Sequence, residues 1–369
     1  MNQLFRWDQT GLFLLALAAG ILPFAVPEVC AAALREGLTL CSGPLLLSLF
    51  PFLVVSRLLI QCPESDLLAL PFRLAAWGIG IRTPCAARVL CIGFLGGFAP
   101  AASAAAQAVR TGQLTAEEAD ALLPACICSG PSFVVLTVGQ SLLGSAELGV
   151  LLFASQITAN YLTAALLNRF AGVRSVKPGS AAPASPAPPR LDEILADAAI
   201  TYCKLCGFVL FFRMLAAGAG ALLPAGAGTL CAVLLEVCSG CDLASRTGRW
   251  GSLLCCAALS VQGLSVLLQV RTICPPEMTL RPLYRVRMLH LPLSLALFYL
   301  LLPGGETEVF STLTARVLLM RRVPPDCALL VFAVCCMAAC TLRSGIRQVE
   351  QKQMARNAGG CCINSKTLL

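Results

Sequence analysis

The sequence predicts an all-α polytopic membrane protein built from two inverted repeats with re-entrant or broken helices. Three observations carry that prediction. Hydrophobic residues make up 57% of the 369 positions and charged residues 12%, with a mean hydropathy of +0.80, so a water-soluble fold would lack the charges to cover its surface. Apolar stretches at or near bilayer-spanning length recur along the chain, at 11–34, 44–61, 89–109, 122–143, 147–168, 195–217, 229–245, 250–270, 286–303 and 326–342. Two regions, Leu45 to Asn168 and Lys204 to Leu302, repeat one order of features and place Gly, Pro and small polar residues where a plain transmembrane helix carries leucine.

Residues 1–37 read as an N-terminal membrane anchor, because the apolar run from Gly11 to Leu34 exceeds the hydrophobic core of a signal peptide. Residues 38–170 form the first repeat. It opens with an aromatic-rich helix at Phe50-Pro51-Phe52 and passes through Leu95-Gly96-Gly97 and Ser129-Gly130-Pro131. It closes with a helix carrying Gln156 and Asn160. Within it a short soluble helix is expected from 111 to 122: Thr115 and Glu118 form a capping box, with Glu117 and Asp120 favourably placed in the first turns.

Residues 171–193 are a cytoplasmic linker, where Pro178, Pro183, Pro186, Pro188 and Pro189 among Ala, Ser and Gly cannot build a core. The second repeat, 194–303, runs from Phe208, Phe211 and Phe212 through Cys238-Ser239-Gly240 and Ser260-Val261-Gln262-Gly263. Its closing helix carries Arg287 and His290. Residues 304–369 supply an amphipathic segment at 310–322, a further transmembrane helix and a basic tail.

Loop charges orient the copies. The loop at 62–88 holds Arg73, Arg82 and Arg88, whereas its counterpart at 218–228 is uncharged; the loop after the first copy holds Arg169, Arg174, Lys177 and Arg190, whereas that after the second holds Glu306 and Glu308. Equivalent loops therefore fall on opposite sides, as an inverted-topology repeat requires, with both termini cytoplasmic in a multi-pass cell-membrane protein. Parity then makes 89–109 and 122–143 one net crossing, and likewise 229–245 and 250–270. The chain has about eight crossings plus two re-entrant segments, or both members of each pair are broken. Non-helical backbone at that depth must be buried in protein or line a wet cavity.

Candidate binding residues come from these breaks. Gly96, Gly97 and Pro100 either present free backbone groups to a solute or let helices approach closely. Ser129, Gly130, Pro131 and Ser132, with Ser239, Gly240, Gln262, Gly263 and Ser265 opposite, supply neutral donors and acceptors suited to a small polar solute, or hydrogen bonds between helices. Glu236 lies inside an apolar segment, where a carboxylate must face a partner or a cavity. Gln156, Asn160, Gln269 and His290 either line a path or bridge helices. Arg57, Lys204 and Arg213 are expected to snorkel towards helix ends, and Asp242 and Arg246 to pair at the interface.

The chemistry read as absent narrows the class. The net charge of +8 sits in short loops beside apolar segments, with no basic helix or aromatic platform, so no nucleic acid is expected as a partner. The 21 cysteines include the C-x-x-C pairs Cys203/Cys206 and Cys238/Cys241, but these lie in apolar segments beside a single histidine in the whole chain. They read as small hydrophobes, and no metal or cofactor is expected. No nucleophile and base combination or phosphate-cradling loop emerges, so the protein is not read as an enzyme.

The run Gly96-Gly97-Phe98-Ala99-Pro100-Ala101-Ala102, followed by Val109-Arg110-Thr111-Gly112-Gln113-Leu114-Thr115, Glu117-Glu118-Ala119 and Cys128-Ser129-Gly130-Pro131-Ser132-Phe133, resembles the YlbJ family of sporulation integral membrane proteins, part of the nucleoside-recognition or Gate-domain group. Leu235-Glu236, Ser239-Gly240 and Gly263-Leu264-Ser265-Val266 with Gln269 extend the likeness to roughly residues 38–300. The chain departs from the family pattern at Phe98-Ala99-Pro100, at Ile127-Cys128, at Gln262 where a glycine is usual and at Leu267 where a histidine is usual. The resemblance implies two Gate-type repeats in a membrane protein of endospore-forming bacteria, needed for spore cortex or coat maturation. Its partners would be the lipid bilayer and a small polar solute, nucleoside-like or other, with a homo-oligomer or other sporulation membrane proteins as further candidates. Two functions follow as expectations: transport or gating of such a solute, or a non-transporting scaffold for spore-envelope assembly.

Overall fold

A computed structural model describes residues 9–171 and 191–302. The described residues are helical throughout, without strands. Helical runs at Pro27–Gln61, Ala146–Ala171, Leu191–Leu222 and Gly248–Ile273 are long and apolar enough to cross a membrane. A fifth span results if Leu70–Ile79 and Pro84–Gly96, bent by 105°, count as one. The distribution of polarity supports a lipid environment: Leu74, Phe170 and Leu300 are 72%, 83% and 77% exposed, while Gln156, Asn160, Ser260 and His290 are buried.

The N-terminal anchor is two helices where one was expected. Helix α1 (Gln9–Ala25) ends at Val26, and α2 (Pro27–Ser42) starts on Pro27, whose missing N–H is harmless only in a first turn. Helix α2 lies along α9 (Leu191–Leu222), and Arg213 there reaches Glu36 at 2.6 Å. Helix α3 (Pro44–Gln61) carries Arg57, which pairs with Asp197 of α9. Arg57 and Arg213, expected to snorkel, each form a cross-helix ion pair with a more exposed carboxylate. The loop at 62–88 also folds, forming α4 (Leu70–Ile79), which closes on Gly80.

The first half then contains two helix–break–helix units and a long closing helix: α5 (Pro84–Gly96) with α6 (Phe98–Arg110), α7 (Ala116–Cys126) with a π-helix (Ser132–Leu142), and α8 (Ala146–Ala171). The second half has the same order. It runs α10 (Ala225–Leu235) with α11 (Val237–Ser245), α12 (Gly251–Val261) with α13 (Gly263–Ile273), and α14 (Arg281–Leu301). Each apolar stretch read as one element at 89–109, 122–143, 229–245 and 250–270 is therefore broken within its length. The capping box at Thr115 and Glu118 is present at the start of α7, and Arg246 pairs with Asp242 at 2.7 Å.

Asp120 does more than favour the start of α7. Its carboxylate accepts from Thr279 N, Thr279 Oγ1 and Leu280 N at 2.8, 2.6 and 3.1 Å, tying the first half to the turn that launches α14. The linker residues 172–190 and everything after 302, including the amphipathic segment, the last transmembrane helix and the basic tail, lie outside the described residues.

Candidate functional site

Each break has a local cause. At Gly97 the backbone turns to φ +81°, and a Cβ there would sit 2.6 Å from the amide nitrogen of Gly130, so only glycine lets the first two breaks touch. Gly96 packs on Pro100, which occupies the first turn of α6 where its missing N–H is tolerated. Residues 127–130 are non-helical between α7 and the π-helix, with Ile127 extended and Pro131, at φ −59°, heading the latter. In the second half Glu236 is extended (φ −150°) and its carboxylate caps α11, accepting from Cys238 N at 2.9 Å and Ser239 N at 2.7 Å. Gln262 stands in the left-handed region at φ +62°, and the following Gly263 packs on the backbone of residues 235–236.

The breaks of both halves open on one cavity. Gly96, Ser129, Gly130 and Ser132 line it from the first half, and Glu236, Cys238 and Gln269 from the second; Leu45, Leu49, Leu205 and Val209 supply apolar walls. Its interior is about 50 Å³, room for one or two waters. Glu236 is 2% exposed, so its charge is held by two main-chain N–H donors and the positive end of α11.

Beside the cavity lies a buried polar layer that joins the halves. Gln156 of α8 donates through Nε2 to Ser260 Oγ at 2.9 Å and to the carbonyl of Cys256 at 3.2 Å. Ser260 shares a hydrogen bond with Ser294 of α14, and His290 Nε2 donates to the carbonyl of Gln156 at 3.2 Å. Asn160 Nδ2 donates to the carbonyl of Ile127 at 3.2 Å, and that same oxygen accepts from Arg287. The guanidinium also reaches the carbonyl of Ser260 at 3.3 Å. Ile127 terminates α7 and Ser260 lies in the last turn of α12, so Arg287 sits between the negative ends of two half-helices, one from each half.

The expected residues thus separate into three groups. Gly96, Ser129, Gly130, Ser132, Glu236 and Gln269 reach the cavity. Gln156, Asn160 and His290 belong to the polar layer as helix bridges, with Ser265 accepting from Gln269 at 3.0 Å. Gly97, Pro100, Pro131 and Gly263 shape the breaks. The second-half break falls at Glu236 rather than at Ser239-Gly240, which are helical: Ser239 serves through its main-chain N–H and Gly240 by close approach to Val233.

Sequence reasoning placed Arg287 on the closing helix with His290 but did not count it among the candidate site residues. The available signal was its spacing from His290 and Ser294, which puts all three on one helical face.

Three buried acyl oxygens, those of Gln156, Asn160 and Gln262, have no hydrogen-bond partner among the described residues. Each such group costs about 1–3 kcal/mol when left unpaired. They are acceptors that a hydroxyl, an amide or a water would satisfy. Among the described residues no group of three or more His, Cys, Asp or Glu side chains is placed to hold a metal ion. The chain matches no protein-family model, no curated protein and no solved structure.

Proposed function

We propose that the protein moves or gates a small polar solute across a membrane, the two halves acting as inverted Gate-type repeats that rock about the cavity between their broken helices. The observation that carries this reading is that the breaks of both halves open on one cavity with the buried Glu236 in its wall. Broken helices place free main-chain groups at depth only where a cavity or neighbouring protein receives them. The hydroxyls of Ser129 and Ser132 and the amide of Gln269 in the cavity wall suit a polar solute. An interior of about 50 Å³ admits a nucleoside-sized molecule only after the halves part.

We infer from the resemblance to YlbJ-type sporulation proteins a cell-membrane protein of an endospore former, and from the loop charges that both termini are cytoplasmic. A scaffold for spore-envelope assembly is the second reading, favoured by the narrow cavity and its leucine-rich walls.

Purified full-length protein in liposomes, assayed for uptake of nucleosides and other small neutral solutes, separates the two. Uptake that Glu236→Gln abolishes while the protein stays folded supports transport. A Glu236→Gln protein that restores sporulation as well as the parent, with no uptake by either, supports the scaffold.

A further inference from the structure

A second cavity, of about 200 Å³, lies between α3 and α6 of the first half and α9 and α13 of the second, and shares Leu205 and Gln269 with the central one. Its charged lining is unbalanced: Arg57, Arg110 and Lys204 face a single carboxylate, Asp197. Arg57 is engaged by Asp197. Among the described residues neither Arg110 nor Lys204 has a hydrogen-bonding or ion-pairing partner, so the cavity carries an excess of two positive charges.

Its depth says what could neutralise them. From Phe98, in the wall of the central cavity, to Arg110 is roughly 18 Å along α6 at 1.5 Å per residue, somewhat more than half of the ~30 Å hydrocarbon core. Arg110 therefore lies at headgroup level when the central cavity lies near the midplane and α6 runs along the membrane normal, and Lys204 can extend its ammonium towards the same level. The flank is apolar: Ile200, 55% exposed, and Phe208 stand beside the cations. A guanidinium and an ammonium around one opening match the oxygens of a phosphate group, and an apolar flank at that depth matches the glycerol and upper acyl carbons of a lipid.

We propose that this cavity is a phosphate-group site that holds the headgroup of an anionic phospholipid, wedged between the two halves beside the central cavity. Arg110 belongs to the first half and Lys204 to the second, so one phosphate bridges them and resists their separation. The site stands independently of what the central cavity carries.

The test is native mass spectrometry of the full-length protein in detergent, titrated with phosphatidylglycerol or with phosphatidylcholine, alongside thermal melts with millimolar inorganic phosphate. Both side chains are exposed, so the Arg110→Gln/Lys204→Gln variant should fold; its unchanged melting temperature without lipid checks this. The expected result is retention of phosphatidylglycerol but not phosphatidylcholine, weakened at least tenfold in the double variant and weakened by salt. Inorganic phosphate that stabilises through the same two residues while phosphatidylglycerol fails to bind would keep the phosphate chemistry and overturn the lipid source. Equal binding of both lipids, or undiminished binding of phosphatidylglycerol by the double variant, overturns the proposal.

Discussion

The guanidinium of Arg287, on the closing helix of the second half, donates to the main-chain carbonyl of Ile127, at the helix break of the first. With its second bond to Ser260 it ties two helix ends together at the centre of a largely apolar molecule. Arg287 is 9% exposed and meets no carboxylate in an ion pair among the described residues. Carbonyls and helix ends therefore carry its compensation.

Arg287→Gln should accordingly destabilise the protein by about 1–3 kcal/mol, because shortening the side chain strips the Ser260 carbonyl of this donor and leaves Ile127 to Asn160 alone. Arg287→Lys should fall between, since an ammonium lacks the fork that reaches both oxygens. Thermal melts in detergent read this; equal stability of all three would remove Arg287 as the tie.

Gly97→Ala should prevent correct packing of the first-half breaks. The added Cβ would lie 2.6 Å from Gly130 N on a backbone at φ +81°, and main chain cannot give way as a side-chain tip can. Gly207→Ala, in the helical interior of α9 with nothing within 4 Å of the new Cβ, should be neutral or stabilising by up to about 1 kcal/mol. Yields of monodisperse protein and melting temperatures compare the two.

Gln262→Gly should raise stability while lowering any uptake. The glutamine bears left-handed backbone strain of about 1–2 kcal/mol and buries an unpaired oxygen, and such strain persists where it serves a site. A variant that is more stable and equally active in solute uptake would show that Gln262 takes no part in the site.

The paired breaks were legible because glycine, proline and small polar residues interrupt apolar runs. The position of the second-half break was less so. Ser239-Gly240 looks like the weaker helix, yet Glu236 breaks it, because its carboxylate caps the N–H groups of Cys238 and Ser239 and makes α11 start there. Arg57 and Arg213 show the same limit. Their partners Asp197 and Glu36 lie 140 and 177 positions away in sequence, and only the packing of α2 and α3 on α9 brings them together. The unpaired acyl oxygens are likewise invisible until neighbours are counted.

Arg213→Gln should destabilise the docking of α2, and the exchange Glu36→Arg with Arg213→Glu should restore part of it. Arg213 is largely buried while Glu36 is open to its surroundings, so loss of the pair leaves a charge or a polar tip in an apolar helix face. Proteolysis between α2 and α3, followed by gel filtration, shows whether α2 stays attached. Failure of the exchange to improve on the single change would point to packing of the arginine stem in place of the ion pair.

Inversion of the two halves is tested most directly by single cysteines at Pro84 and Pro224, the exposed starts of α5 and α10, in a background whose native cysteines are replaced. A membrane-impermeant thiol reagent applied to intact cells should label one position only, and the other should react once the membrane is opened. Labelling of both from the same side would contradict the inverted arrangement on which the proposed rocking depends.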